Sequence, residues 1–174
     1  MIKFRNANYD DLELLQYWDT LAHVKASDPE KEDWEYELKR IPEWRELLIA
    51  QVDGKPIGVV QIIDPANEDT HYWGKIAENK RAIDIWIGEE AYLNKGYGTE
   101  MMRQAIAKCF APEEVDEIVI DPLASNKRAI RFYQRLGFEF VEKRTFNHDE
   151  CEVYSLKRER WLSGLFAITN SRYR

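Results

Sequence analysis

The sequence predicts a mixed α/β (α+β) domain: a largely antiparallel, twisted sheet flanked by helices, with one parallel βαβ segment inside it. Three observations lead there. Segments of strand and helix periodicity follow one another without strict alternation along the 174 residues. Asp53-Gly54 separates two apolar runs, 47–52 and 57–63, as a two-residue hairpin turn does. A strand over 82–88, a glycine loop at 93–98, an amphipathic helix and a strand over 118–121 make a unit of the kind that joins parallel strands.

The elements follow in order. Ile2 to Arg5 alternates and reads as an opening strand. Asp10 and Asp11 are expected to cap a helix carrying Leu12, Leu15, Trp18 and Leu21 on one face. Residues 28–37, DPEKEDWEYE, read as a second helix, or as a loop before one reaching Leu38 and Ile41; their acids suit a solvated face. After the hairpin, 64–80 is a polar, turn-rich loop in which His71, Tyr72 and Trp73 stand side by side. Within AIDIWIG, alternation puts Ile83, Ile85 and Ile87 on one face and Asp84 and Trp86 on the other. Met101, Met102, Ala105, Ile106, Cys109 and Phe110 form a helical stripe. Pro122 stops the next strand, and Asn126 to Leu136 is a helix closed by Gly137. Residues 138–144 and 151–156 form a closing antiparallel pair. Residues 1–157 are expected to be one domain. The tail, 158–174, is expected to add a short helix packed through Trp161, Leu162, Leu165 and Phe166, or a dimer contact, so the chain is read as a monomer or homodimer.

Composition narrows the class. An apolar fraction of 44% with 13% aromatic residues suits a folded core rather than disorder. With 25 Lys and Arg against 32 Asp and Glu, the net charge of −7 argues against a nucleic-acid binder. No run is long and apolar enough to cross a membrane, and the first residues do not resemble a secretory signal. Cys109 and Cys151 lack CxxC spacing, which suits a reducing cytoplasm, and the three histidines stand apart, so no metal site is expected.

The chemistry starts at LNKGYGT, residues 93–99. Gly96 and Gly98 are expected to allow positive φ and a close backbone approach, while the following helix offers unpaired N–H groups and a positive dipole end. That combination suits a pyrophosphate. The dinucleotide fingerprint is incomplete, since residue 101 is Met, and no Gly-Lys-Ser/Thr is present. A second block follows at Asn126, Ala129-Ile130-Arg131-Phe132-Tyr133 and Leu136-Gly137-Phe138.

With these two blocks at this spacing, the sequence resembles the GNAT superfamily of acyl-CoA-dependent N-acyltransferases. Within it, Gly54-Lys55-Pro56-Ile57-Gly58, Arg81-Ala82-Ile83-Asp84, Gly96-Tyr97-Gly98-Thr99 and Asp121-Pro122 with Ser125 to Arg131 are similar to the aminoglycoside 6'-N-acetyltransferases. The resemblance implies acetyl-CoA as cosubstrate, with no metal. Its contacts would come from the backbone at Ile85, Trp86 and Ile87, from Asn94, Lys95, Gly96, Tyr97, Gly98 and Thr99, and from Asn126, Ala129 and Tyr133. It assigns catalysis to Asp84 and Tyr133, and the cationic acceptor to Asp69, Tyr72, Asp84 and Asp121. An ordinary Asp, with a pKa of about 4, is a poor base at neutral pH, so orienting the ammonium is a large part of what Asp84 would do. Leu93 replaces the family's usual Gln or Arg, and residues 22–37 lack the Trp-rich stretch of the aminoglycoside enzymes. A protein N-terminus, a polyamine or a siderophore amine are the alternative acceptors, and an acyl-CoA-binding regulatory module is the alternative without catalysis.

Overall fold

The computed structural model describes residues 1–27 and 32–171; for 165–171 it describes the backbone alone. Seven strands form one sheet in the order β1-β2-β3-β4-β5-β7-β6. They are β1 (Ile2–Asn6), β2 (Arg45–Val52), β3 (Lys55–Ile63), β4 (Lys80–Ile87), β5 (Glu117–Ile120), β6 (Glu139–Phe146) and β7 (Asp149–Lys157). Every neighbouring pair is antiparallel except β4 with β5. Short helices α1 (Leu12–Trp18), α2 (Ala22–Lys25) and α3 (Trp34–Lys39) precede the second strand. The longer α4 (Tyr97–Cys109) and α5 (Lys127–Arg135) flank β5 in sequence, and α6 (Arg158–Ser171) follows β7.

Local chemistry explains most of the boundaries. Asp53 and Gly54 both take positive φ, 51° and 79°, as the tight β2–β3 turn requires. Gly137, at φ 96°, ends α5. The start of the first helical segment differs from expectation. Asn8, rather than Asp10, is the cap, and Asp11 closes the capping box by accepting the Asn8 N–H at 2.9 Å. Asp11 also takes a bidentate pair from Arg5 at 2.6 and 2.7 Å, which joins β1 to the turn. Gly98 differs too: it is the second residue of α4, while Asn94 and Gly96 take the left-handed conformation in this loop, at φ 59° and 84°. The closing hairpin places β7 next to β5 and leaves β6 at the sheet edge.

The alternation read in β4 sorts its two faces. Ile83, Ile85 and Ile87 pack with Met101, Met102, Ala105 and Ile106 of α4 in the main core. On the opposite face, Ala82 joins a cluster around Trp73 and Phe146, and Trp86 joins another around Trp18 and Trp34. Asp84 lies between them on that face. In the tail, Trp161 stacks on Phe110 at 5.0 Å; the side chains of Leu165 and Phe166, and residues 28–31 of the acidic run, lie outside what is described. No helix among the described residues is long and apolar enough to cross a membrane.

The parallel ladder between β4 and β5 is short, pairing Lys80, Arg81 and Ala82 with Glu117, Ile118 and Val119. A part-buried Lys80–Glu117 ion pair fastens its start. Burial alone would raise the Glu117 carboxyl, but hydrogen bonds from Lys80 and Ser155 outweigh it and hold the group below its usual range. A depressed folded-state pKa contributes stability above the unfolded-state value of about 4.3, lost as pH falls through the folded-state value. Glu117→Gln should therefore be less stable than the parent at neutral pH, and the gap should close on acidification, as urea unfolding at several pH values will show.

One glycine controls how α1 docks. A Cβ on Gly88 would lie 2.0 Å from the indole of Trp18, which is fully buried. Gly88→Ala is expected to lower stability by about 1–3 kcal/mol, the usual range for overpacking, measured by chemical denaturation.

Candidate active site

Past Ala82 and Val119 the strands β4 and β5 separate, since β4 continues to Ile87 without a β5 partner among the described residues. A cleft of about 1060 Å³ occupies this side of the sheet. That is at the upper end of the usual range for small-molecule sites, roomy enough for two reactants. The β5-facing backbone edge of residues 83–87 borders it, and backbone groups without a strand partner need one from elsewhere.

One half is built for anions. Gly96 is the N-cap of the 13-residue α4, and no side chain caps that end. The first amides of α4 therefore remain available to a ligand, with the dipole favouring negative charge. Asn94, Gly96, Gly98 and Thr99 line the cleft here. The facing wall is α5, whose Asn126 side chain accepts the Ala129 N–H at 3.1 Å and so fixes the helix start. Asn126, Ala129 and Tyr133 line the cleft, as do Arg128, Arg131 and Arg135. Arg128 donates to the Asn94 side chain at 2.6 Å and joins α5 to the glycine loop. The sequence reading missed the arginines as a group, although their spacing of three and four residues places them along one side of a helix.

Two expected members keep their side chains out of the lining, although the Tyr97 amide is the first of α4. Lys95 is exposed and outside the lining. Tyr97 packs edge-on against Tyr92, with ring centres 5.3 Å apart.

The other half gathers carboxylates and phenols. Asp84 projects from β4 and Asp121 follows the end of β5; both line the cleft with Tyr72 and Tyr133. The Tyr72 hydroxyl donates to Asp121 at 2.6 Å. The Tyr72 ring stacks on Phe146 at 4.5 Å and 10°, and Trp73 meets Phe146 edge-on. Arg144 holds the loop in place, donating to the Trp73 carbonyl at 3.0 Å and lying over Phe146. Phe146 was not singled out in the sequence: it lies two residues past the expected strand, at the end of the observed one.

Burial raises the Tyr133 phenol well above the usual range, and the charges of Asp84 and Asp121 raise it further. Tyr72 shifts the same way, through burial first and then Asp121. Both carboxylates and both phenols line the one cleft. Asp69, by contrast, is not in the lining: its exposed carboxylate pairs with Arg40 at 2.8 Å. Cys151 does line the cleft, but burial, with help from Asp121 and Asp149, pushes its thiol up to about 12, so it stays protonated at neutral pH. Among the described residues no group of three or more His, Cys, Asp or Glu side chains is arranged to hold a metal.

The chain is similar to several known proteins. The chain is 36% identical over 92 residues to the aminoglycoside N(6')-acetyltransferase type 1 of Klebsiella pneumoniae, a match covering 52% of this chain and 46% of that protein. It is 42% identical over 59 residues to a kanamycin resistance protein of Rhizobium radiobacter, covering 34% and 55%. These matches thus span about half the length of the curated relatives. The crystal structure of aminoglycoside acetyltransferase AAC(6')-Ib with coenzyme A and kanamycin superposes with a TM-score of 0.83 at 25% identity, over 94% of this chain and 98% of that one. The family model described as an acetyltransferase (GNAT) domain matches residues 8–146, most of the chain, and the chain belongs to the GNAT acetyltransferase family.

Proposed function

We propose that the chain is an acetyl-CoA-dependent N-acetyltransferase that acetylates the 6'-amine of an aminoglycoside by direct transfer in a ternary complex. The observation that carries this reading is the convergence of Asp84, Asp121, Tyr72 and Tyr133 at the gap between β4 and β5, next to the uncapped start of α4. The residues present fit the cosubstrate. Its phosphates would be held by the first amides of α4 and the Arg128, Arg131 and Arg135 side of α5, and its amide-bearing arm by the backbone edge of 83–87. Bound there, acetyl-CoA supplies the acyl carbon and the thiolate leaving group.

The side chains divide the remaining work. Asp84 and Asp121 attract the ammonium and orient it, and Asp84 is the group through which its proton leaves. Tyr72 fixes the Asp121 carboxylate from one side. Tyr133, kept protonated by burial and by the two carboxylates, donates toward the departing sulfur. Holding both reactants in one cleft supplies a further part of the rate. The protonated state of Cys151 supports direct transfer over an acyl-enzyme route. Two free cysteines suit a reducing cytoplasm as the enzyme's place of work.

Thiol release from acetyl-CoA with a panel of amines tests the reading. Kanamycin-type sugars with a 6'-amine should turn over, and those lacking it should not; equal rates on both would remove the assignment of position. Asp84→Asn should lower kcat about 10²–10³-fold, in the usual range for loss of a general base, with acetyl-CoA affinity close to the parent's by calorimetry. Tyr133→Phe should lower kcat by about 10-fold or more, with the acceptor KM little changed.

A further inference from the structure

One cleft residue outside the catalytic group is tied to the strand that would carry the cosubstrate. The Nε2 of His23, on α2, lies 3.0 Å from the carbonyl oxygens of both Ile87 and Gly88. Carbonyls only accept, so Nε2 carries the hydrogen and donates to the pair. The site of this contact matters. Pairing of β4 with β3 ends at Ile87, opposite Gly58. Beyond it the N–H groups of Gly88 and Glu89 both converge on the Ile57 carbonyl, at 2.9 and 3.2 Å, so the chain leaves regular ladder geometry there. It then turns toward the glycine loop. Two of these residues receive α1: Trp18 packs over Gly88, and its indole N–H donates to Glu89 at 2.8 Å.

We infer that His23 is a positioning residue: through the Ile87 and Gly88 carbonyls it fixes the end of β4 against which acetyl-CoA binds, and joins that edge to α2 on the wall of the cleft. The inference rests on the acetyl-transfer reading, but its test needs no acceptor. A strand end whose carbonyls are held presents its backbone in one geometry; released, it must be ordered by the ligand, which weakens binding. Trp18 alone does not replace the contact, because it acts on Gly88 and Glu89 and leaves both carbonyls untouched.

Calorimetric titration of acetyl-CoA into the parent, His23→Leu and His23→Gln tests this, below the melting temperature of all three. His23→Leu fills similar space without a donor and should bind about 10-fold more weakly, the scale of one lost hydrogen bond. His23→Gln keeps an N–H at a similar reach and should recover most of the affinity. If His23→Leu binds like the parent, or if His23→Gln is as weak as His23→Leu, the positioning role is wrong. A residue that only stabilised the fold would lower the melting temperature in the leucine variant and leave the affinity of the folded protein unchanged, which also overturns the proposal. Failure of the parent itself to bind acetyl-CoA would instead remove the acetyl-transfer reading on which the proposal stands.

Discussion

The structure depends on two adjacent parallel strands that stop pairing. β4 and β5 share a ladder over Lys80–Ala82 and Glu117–Val119 and then separate. A sheet normally satisfies its interior backbone by pairing, so this gap would be costly if nothing filled it. The rest of the fold supports the gap: the Lys80–Glu117 pair fastens its closed end, α4 packs its apolar stripe under Ile83, Ile85 and Ile87, and α5 stands opposite. The open β4 edge, the start of α4 and two carboxylates therefore face one space.

Charge is divided within that space. The half proposed to hold the phosphates presents the start of α4 with Arg128, Arg131 and Arg135, while the other half carries Asp84 and Asp121. The net charge of −7 is only partly chemistry. In the described part of the acidic run, Asp33 caps α3, Glu35 pairs with Lys39, and Glu37 pairs with Arg40 and Arg45. Arg40 takes Asp69 as well, so the inner carboxylates, next to the two phenols, carry the electrostatic case for a cationic acceptor.

Elements with strong local signals were legible in the sequence. The Asp53-Gly54 turn, the sorting of β4 into isoleucine and Asp84 faces, the α4 stripe and the Gly137 stop each follow from short-range chemistry. The paired glycine-loop and Asn126–Tyr133 blocks located the cleft. Features set by distant contacts were not legible. Nothing local in Asp69 tells of Arg40, and nothing in Tyr97 tells of Tyr92. Asn8 displaced Asp10 as a cap because Arg5 and Asn8 both engage Asp11. The seating of residues 64–79 on Phe146 and Arg144 joins parts of the chain about seventy residues apart, beyond the reach of pattern.

The central claim is that donor and acceptor meet where β4 parts from β5. A crystal structure of this chain with coenzyme A and kanamycin tests it most directly. The account predicts the pyrophosphate on the first amides of α4, the pantetheine arm along the backbone of 83–87, and the 6'-amine beside Asp84 and Asp121 with Tyr133 near the sulfur. Coenzyme A bound away from the β4 edge, or an acceptor amine remote from Asp84, would contradict it.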